Sequence, residues 1–153
     1  MEHICNIVKD FIITETAEYL SEMEEQGLTL PAFTSDNVHL GYLDAESNQR
    51  SIECFIVPDS QTLSELSMEE NETRTNMNIY VFVRKAEKDV LFKRAMRYGA
   101  AIKKAVQNNY SMGGNFLQSI ITNVEYYDNV EDTDGKIRAI RLGLTVIDEE
   151  TEV

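Results

Sequence analysis

Between residues 75 and 109 the apolar spacing changes from every second residue to every third and fourth, and this change constrains the fold more than any other feature. In residues 75–84, Met77, Ile79, Val81 and Val83 face one way and Asn78, Tyr80, Phe82 and Arg84 the other, as in a strand. Tyr80 and Phe82 predict that the second face is covered as well. A helix at about 87–109 follows, with Leu91, Ala95, Tyr98, Ile102, Ala105 and Val106 along one side. "NNYSMGG" stops it. A strand leading directly into so divided a helix requires a sheet on which the apolar seam can rest. The expected core joins Leu91, Tyr98 and Ile102 to Ile79, Val81, Leu142 and Leu144.

The remaining chain supplies that sheet. Ile4, Ile7, Val8, Phe11, Ile12, Tyr19, Leu20 and Met23 predict one amphipathic helix over 4–26, capped by Gly27. Strands are expected at 37–43 and 51–57, the second stopped by Pro58. Residues 59–73, rich in Ser, Thr, Asn and Glu, read as a long flexible loop. "QSIITNVEYYD" and "KIRAIRLGLTVID" read as closing strands, with Asp134-Gly135 suited to a tight turn between them. Residues from about 148 to 153 are expected to fray. The fold class is therefore α+β, order α-β-β-β-α-β-β, an antiparallel or mixed sheet with two helices on one face. A length of 153 residues fits a single domain, 1–153.

A hydrophobic fraction of 42% and a charged fraction of 27% are those of a soluble globular chain. No apolar run approaches the roughly 20 residues that span a bilayer, and "MEHICNIVKD" lacks the start of a signal peptide. Synthesis and retention in a cytoplasm, with no membrane partner, is the expectation. Cys5 and Cys54 read as reduced thiols.

Motifs for chemistry are lacking. The two histidines, His3 and His39, sit in no recognisable catalytic setting, and there is no nucleophile elbow or phosphate loop. His3, Cys5, His39 and Cys54 match no standard zinc spacing. A calcium loop at "VEDTDG" would put Val130 first and Arg141 last, where acidic ligands belong. Paired glutamates such as Glu69-Glu70 lie in polar runs with nothing to desolvate them. The expectation is no catalytic residue, no metal, no cofactor and no enzyme activity.

Charge is the unusual feature. The net charge is −13, yet eight of the fourteen Lys and Arg residues lie between Arg84 and Lys104. At about 100° per residue, Lys93, Arg97 and Lys104 fall within about 40° of one another, opposite the apolar seam. Arg94 and Lys103 widen the stripe. It can be a solvated face, a nucleic-acid contact or a docking surface for acidic parts of another copy. Acidic stretches exist in the first helix, at 65–72 and at 125–134. Charge segregated in this way suits a heterologous ring interface, in which two different patches of one molecule meet. Leu63, Leu66 and Met68, the apolar points of the 59–73 segment, are expected to join that interface.

The element order, and the texture of Arg97, Tyr98, Ala101, Ile102, Ala105 and Val106 after an "IYVFV" strand, resemble the tail-terminator (tail-completion) proteins of long-tailed bacteriophages. The resemblance covers most of the chain but carries no diagnostic motif. It implies a ring homo-oligomer, typically a hexamer, that caps the finished tail tube. Its partners would be the tail-tube protein and a head–tail connector protein. DNA would only pass through, and a negative wall would not hold it. The setting would be the virion tail or neck, assembled in the bacterial host cytoplasm. Alternatives are a head-completion or neck connector protein, and a small cytoplasmic module binding a ligand between sheet and helices.

Overall fold

The computed structural model describes residues 1–42, 50–65, 70–128, 130 and 136–151. Among them, three helices and five strands form an α+β fold. The order is α1 (Glu2–Glu15), α2 (Ala17–Met23), β1 (Val38–Leu40), β2 (Ile52–Glu65), β3 (Glu70–Val83), α3 (Lys88–Asn108), β4 (Gln118–Tyr127) and β5 (Arg138–Thr151). The strands make one mixed sheet, β1-β2-β3-β5-β4. β1 runs parallel to β2, and the remaining pairs are antiparallel.

Alternation along the strands sorts the sheet into two faces. Cys54 and Ile56 of β2, Met77, Ile79 and Val81 of β3, and Ile140, Leu142, Leu144 and Val146 of β5 share one buried cluster with residues of all three helices. Leu91, Tyr98 and Ile102 belong to it, so the expected seam of α3 does rest on β3 and β5. Gly99 lets that contact close, because a Cβ there would overlap the Ile140 side chain. On the opposite face, Phe55, Phe82, Ile137 and Ala139 form a second, smaller buried cluster with Tyr80 beside it. The second face is buried in part, around Phe82, where the aromatic alternation points.

Three expectations need correction. The helix read over 4–26 is broken at Thr16, which keeps helical dihedrals but turns its hydroxyl back to the Ile12 carbonyl at 2.5 Å. Such a back-bond loosens the ladder and bends a helix. Gly27 does not cap it: the chain leaves α2 at Glu24, and Gly27, at φ +81, closes a later turn. The 59–73 segment is mostly strand rather than loop. Pro58 is accommodated by a bulge between Pro58 and Ser60, after which β2 continues to Glu65, paired with Asn71 of β3. Polar side chains disguised it, because most of this arm has no helix above it to demand apolar residues. The third correction is the C-terminal end: β5 stays paired with β3 as far as Thr151 opposite Glu70, so residues 148–151 are strand. The Asp134-Gly135 turn lies outside the described residues.

Ile102 is completely buried between α3 and the sheet. Ile102→Ala should lower unfolding stability by about 2–5 kcal/mol, the range for truncating a core aliphatic. Urea denaturation followed by circular dichroism measures it, and an unchanged midpoint would remove this residue from the core.

Candidate interaction surface

The segment between α2 and β1 explains where much of the cationic stripe goes. After Glu24, residues 25–33 run back across α3 as a strap. Glu25 and Leu28 exchange backbone hydrogen bonds of 3.3 and 2.9 Å around Gly27. Leu28, Leu30 and Phe33 are buried. The Phe33 ring packs on Tyr98 with centroids 5.2 Å apart, and the Tyr98 hydroxyl donates to the Pro31 carbonyl at 2.5 Å. Burial is the main cause that pushes the Tyr98 hydroxyl above its ordinary pKa, so it stays a donor.

The strap belongs to no strand of the sheet, and its carbonyls need donors. α3 supplies them. Arg97 donates to the Met23 carbonyl at 2.6 Å and pairs with Glu25 at 3.2 Å. Arg94 donates to the carbonyl and hydroxyl oxygens of Thr29 at 3.0 and 3.1 Å. Lys93 reaches the same Glu25 carboxylate at 3.5 Å, with half of its side chain in water, a contact of little energetic weight. Lys104 lies over the Tyr19 ring, 5.5 Å from its centroid. Lys103 is exposed and makes no ion pair among the described residues. The five cations thus divide: Arg94 and Arg97 fasten the strap, while Lys93, Lys103 and Lys104 keep largely exposed positions on the outer face of α3.

Of the apolar residues assigned to an interface, Leu63 stands on β2 opposite Thr73, with 62% of its surface exposed. Leu66 and Met68 lie outside the described residues. Sequence reasoning missed a second apolar surface. Phe92 and Met96 of α3 are 48% and 41% exposed, and Val124 of β4 is 44% exposed. The Phe92 ring meets Tyr126 of β4 edge-on at 5.3 Å, joining helix and strand into one patch. The signal was present, since Phe92 and Met96 are one helical turn apart and fall outside the buried seam. Beside this patch, the outer edge of β4 pairs with no strand among the described residues.

The four residues His3, Cys5, His39 and Cys54 are dispersed. Cys5 and Cys54 are buried in the helix-side core, and His3 is exposed on α1. His39 faces the other side of the sheet, where its Nε2 lies 2.5 Å from the carboxylate of the fully buried Glu53, with Arg50 at 3.6 Å. No group of three or more metal-ligating side chains occurs among the described residues, and no helix there is long and apolar enough to cross a membrane.

Arg97→Ala should lower stability by about 1 kcal/mol, the scale of a lost charge-assisted hydrogen bond in a partly exposed setting. Lys103→Ala should change it by less than about 0.5 kcal/mol. Hydrogen exchange should show faster opening of α2 in the arginine variant alone. Equal exchange in both would mean that Arg97 does not hold the strap.

No family model matches the chain, and no curated protein matches it. Among solved structures, it is similar to a chain described as part of the virion of a native gene transfer agent particle. That similarity has 12% sequence identity and a TM-score of 0.46, and covers 74% of this chain and 79% of the other.

Proposed function

We propose that the protein acts by assembly, as a ring-forming structural component of a phage-like virion, and specifically as a tail terminator. The observation that carries the assembly reading is the apolar patch of Phe92, Met96 and Val124 beside the outer edge of β4, which pairs with no strand among the described residues. An exposed ten-residue edge strand is a template for another chain, and proteins that stay monomeric blunt such edges with lysine, proline or a covering element. β4 contains neither Lys nor Pro. Its one irregularity is a bulge between Ile121 and Asn123, which leaves both halves able to pair.

The choice of a ring rests on the two dissimilar edges of the sheet, one formed by β4 and the other by β1 and the outer arm of β2. Two different surfaces on one molecule join head to tail, and such contacts close into a ring when the rotation between copies allows. The terminator role rests on the resemblance in element order and in the texture of α3. In that role one rim of the ring, a hexamer by the same resemblance, meets the tail-tube protein and the other a head–tail connector protein. The net charge of −13 keeps passing DNA from adhering to the wall. A neck connector would share this architecture. A ligand held between sheet and helices fits less well, because Leu91, Tyr98, Ile102 and Phe33 fill that layer.

Multi-angle light scattering on the purified protein, with negative-stain microscopy, tests the reading. Closed rings with a central opening are expected, and a monomer at all accessible concentrations would overturn it.

A further inference from the structure

Building on the ring reading, we infer which edges meet: β4 of one copy lies antiparallel against the β1–β2 edge of the next, so that the sheet continues across the subunit boundary. Strand direction permits this. β2 and β5 run the same way and β3 and β4 the opposite way. A second copy placed head to tail therefore offers its β4 antiparallel to β1 and β2.

Two rows of side chains cross the sheet from edge to edge, and their ends are complementary. On the helix face, Leu40, Ile56, Ile79, Leu142 and Val124 are successive partners through all five strands. Val124 is exposed at one end, and at the other Leu40 lines an apolar depression of about 360 Å³ together with Met1, Cys5 and Pro58. The row is apolar throughout and has no polar residue to end it. Further along the same face, Leu63 faces Thr73 and Thr73 faces Asp148. Leu63, at the outer end of this row, is 62% exposed, and Leu117, just before β4 with its N–H on the Ile147 carbonyl, is 49% exposed. On the opposite face the row runs His39, Phe55, Tyr80, Arg141, Glu125. It ends in a half-exposed carboxylate on β4, and at the other edge in His39 with the half-exposed Arg50 close by. Continuing the sheet sets valine at an apolar depression and a carboxylate beside a cationic group.

The geometry makes the test clean. Within one chain, Leu40 and Val124 stand at opposite edges, about 19 Å apart at four strand spacings, too far for a disulfide. In adjacent antiparallel strands Cα atoms lie about 4.5–5.5 Å apart, within disulfide reach. The double variant Leu40→Cys/Val124→Cys, made with Cys5→Ala and oxidised with copper phenanthroline after assembly, should give a ladder of covalent species ending at the ring size. Each single variant should give none. Val124→Lys should weaken association at least tenfold while leaving the urea midpoint in place. Rings seen by light scattering without a covalent ladder would overturn the edge pairing and leave the ring reading intact. Disulfide dimers from Val124→Cys alone would show β4 pairing with itself and overturn it too. A protein that remains monomeric would overturn both.

Discussion

The strap crossing α3 is the contact on which the helical layer depends. Residues 25–33 have no sheet of their own, so their carbonyls and apolar side chains must be satisfied by α3. Arg94 and Arg97 meet the Thr29 and Met23 carbonyls, Tyr98 meets Pro31, and Glu24 accepts from the Leu30 N–H at 2.9 Å. Guanidinium groups suit this task, because they present several donors in a fixed plane and lose less entropy per bond than an ammonium. The strap in turn buries Phe33 against Tyr98 and fixes the point at which β1 enters the sheet. A surface feature that reads as a binding stripe is thus partly an internal clasp.

The sheet imposes a different constraint. Its helix face is closed by α1, α2 and α3, and part of its other face by the Phe55–Phe82 cluster. Among the described residues, no further strand pairs with its two edges. Close approach at two glycines makes this layering possible. Gly99 brings α3 onto Ile140, and Gly143 admits Asn123 and Thr122 of the β4 bulge, whose side chains would collide with a Cβ. The bulge bends β4 while keeping Tyr126 and Val124 on the helix face. The same distortion that holds β4 to β5 therefore also aims its apolar residues at the exposed patch.

The legible parts of the sequence were those where one face is buried. β3, α3 and β5 each pack against the helix–sheet core, so their apolar residues recur at the period of the element and declare it. The outer arm of β2 was hidden because most of its side chains meet solvent, which leaves backbone pairing with β3 as its main reason to be strand. The break at Thr16 was hidden because a single hydroxyl back-bond does not disturb the spacing of Ile12 and Leu20. The destination of Arg97 was equally invisible. Helical angle places it on an outward stripe, but its partners are Met23, at the end of α2, and Glu25, in a strap whose path is fixed only by tertiary packing. Phe92 and Met96 show the reverse case: two apolar residues outside the buried seam were readable, and their meaning came from the adjacent edge of β4.

Charge decides which surface can hold copies together. With a net charge of −13, two copies repel over a range set by the screening length, about 10 Å at 0.1 M salt. An interface built on Lys93, Lys103 and Lys104 against acidic residues of another copy would weaken as salt rises. One built on Leu117, Val124 and Phe92 buries apolar area, which salt does not screen, while the mutual repulsion of the subunits is screened. Association should therefore strengthen as sodium chloride is raised from about 0.05 to 0.5 M, over which the screening length falls several-fold. Sedimentation velocity across that range reads the balance directly. Stronger association at high salt identifies the apolar edge as the dominant contact, whereas dissociation at high salt would assign the interface to the lysines of α3.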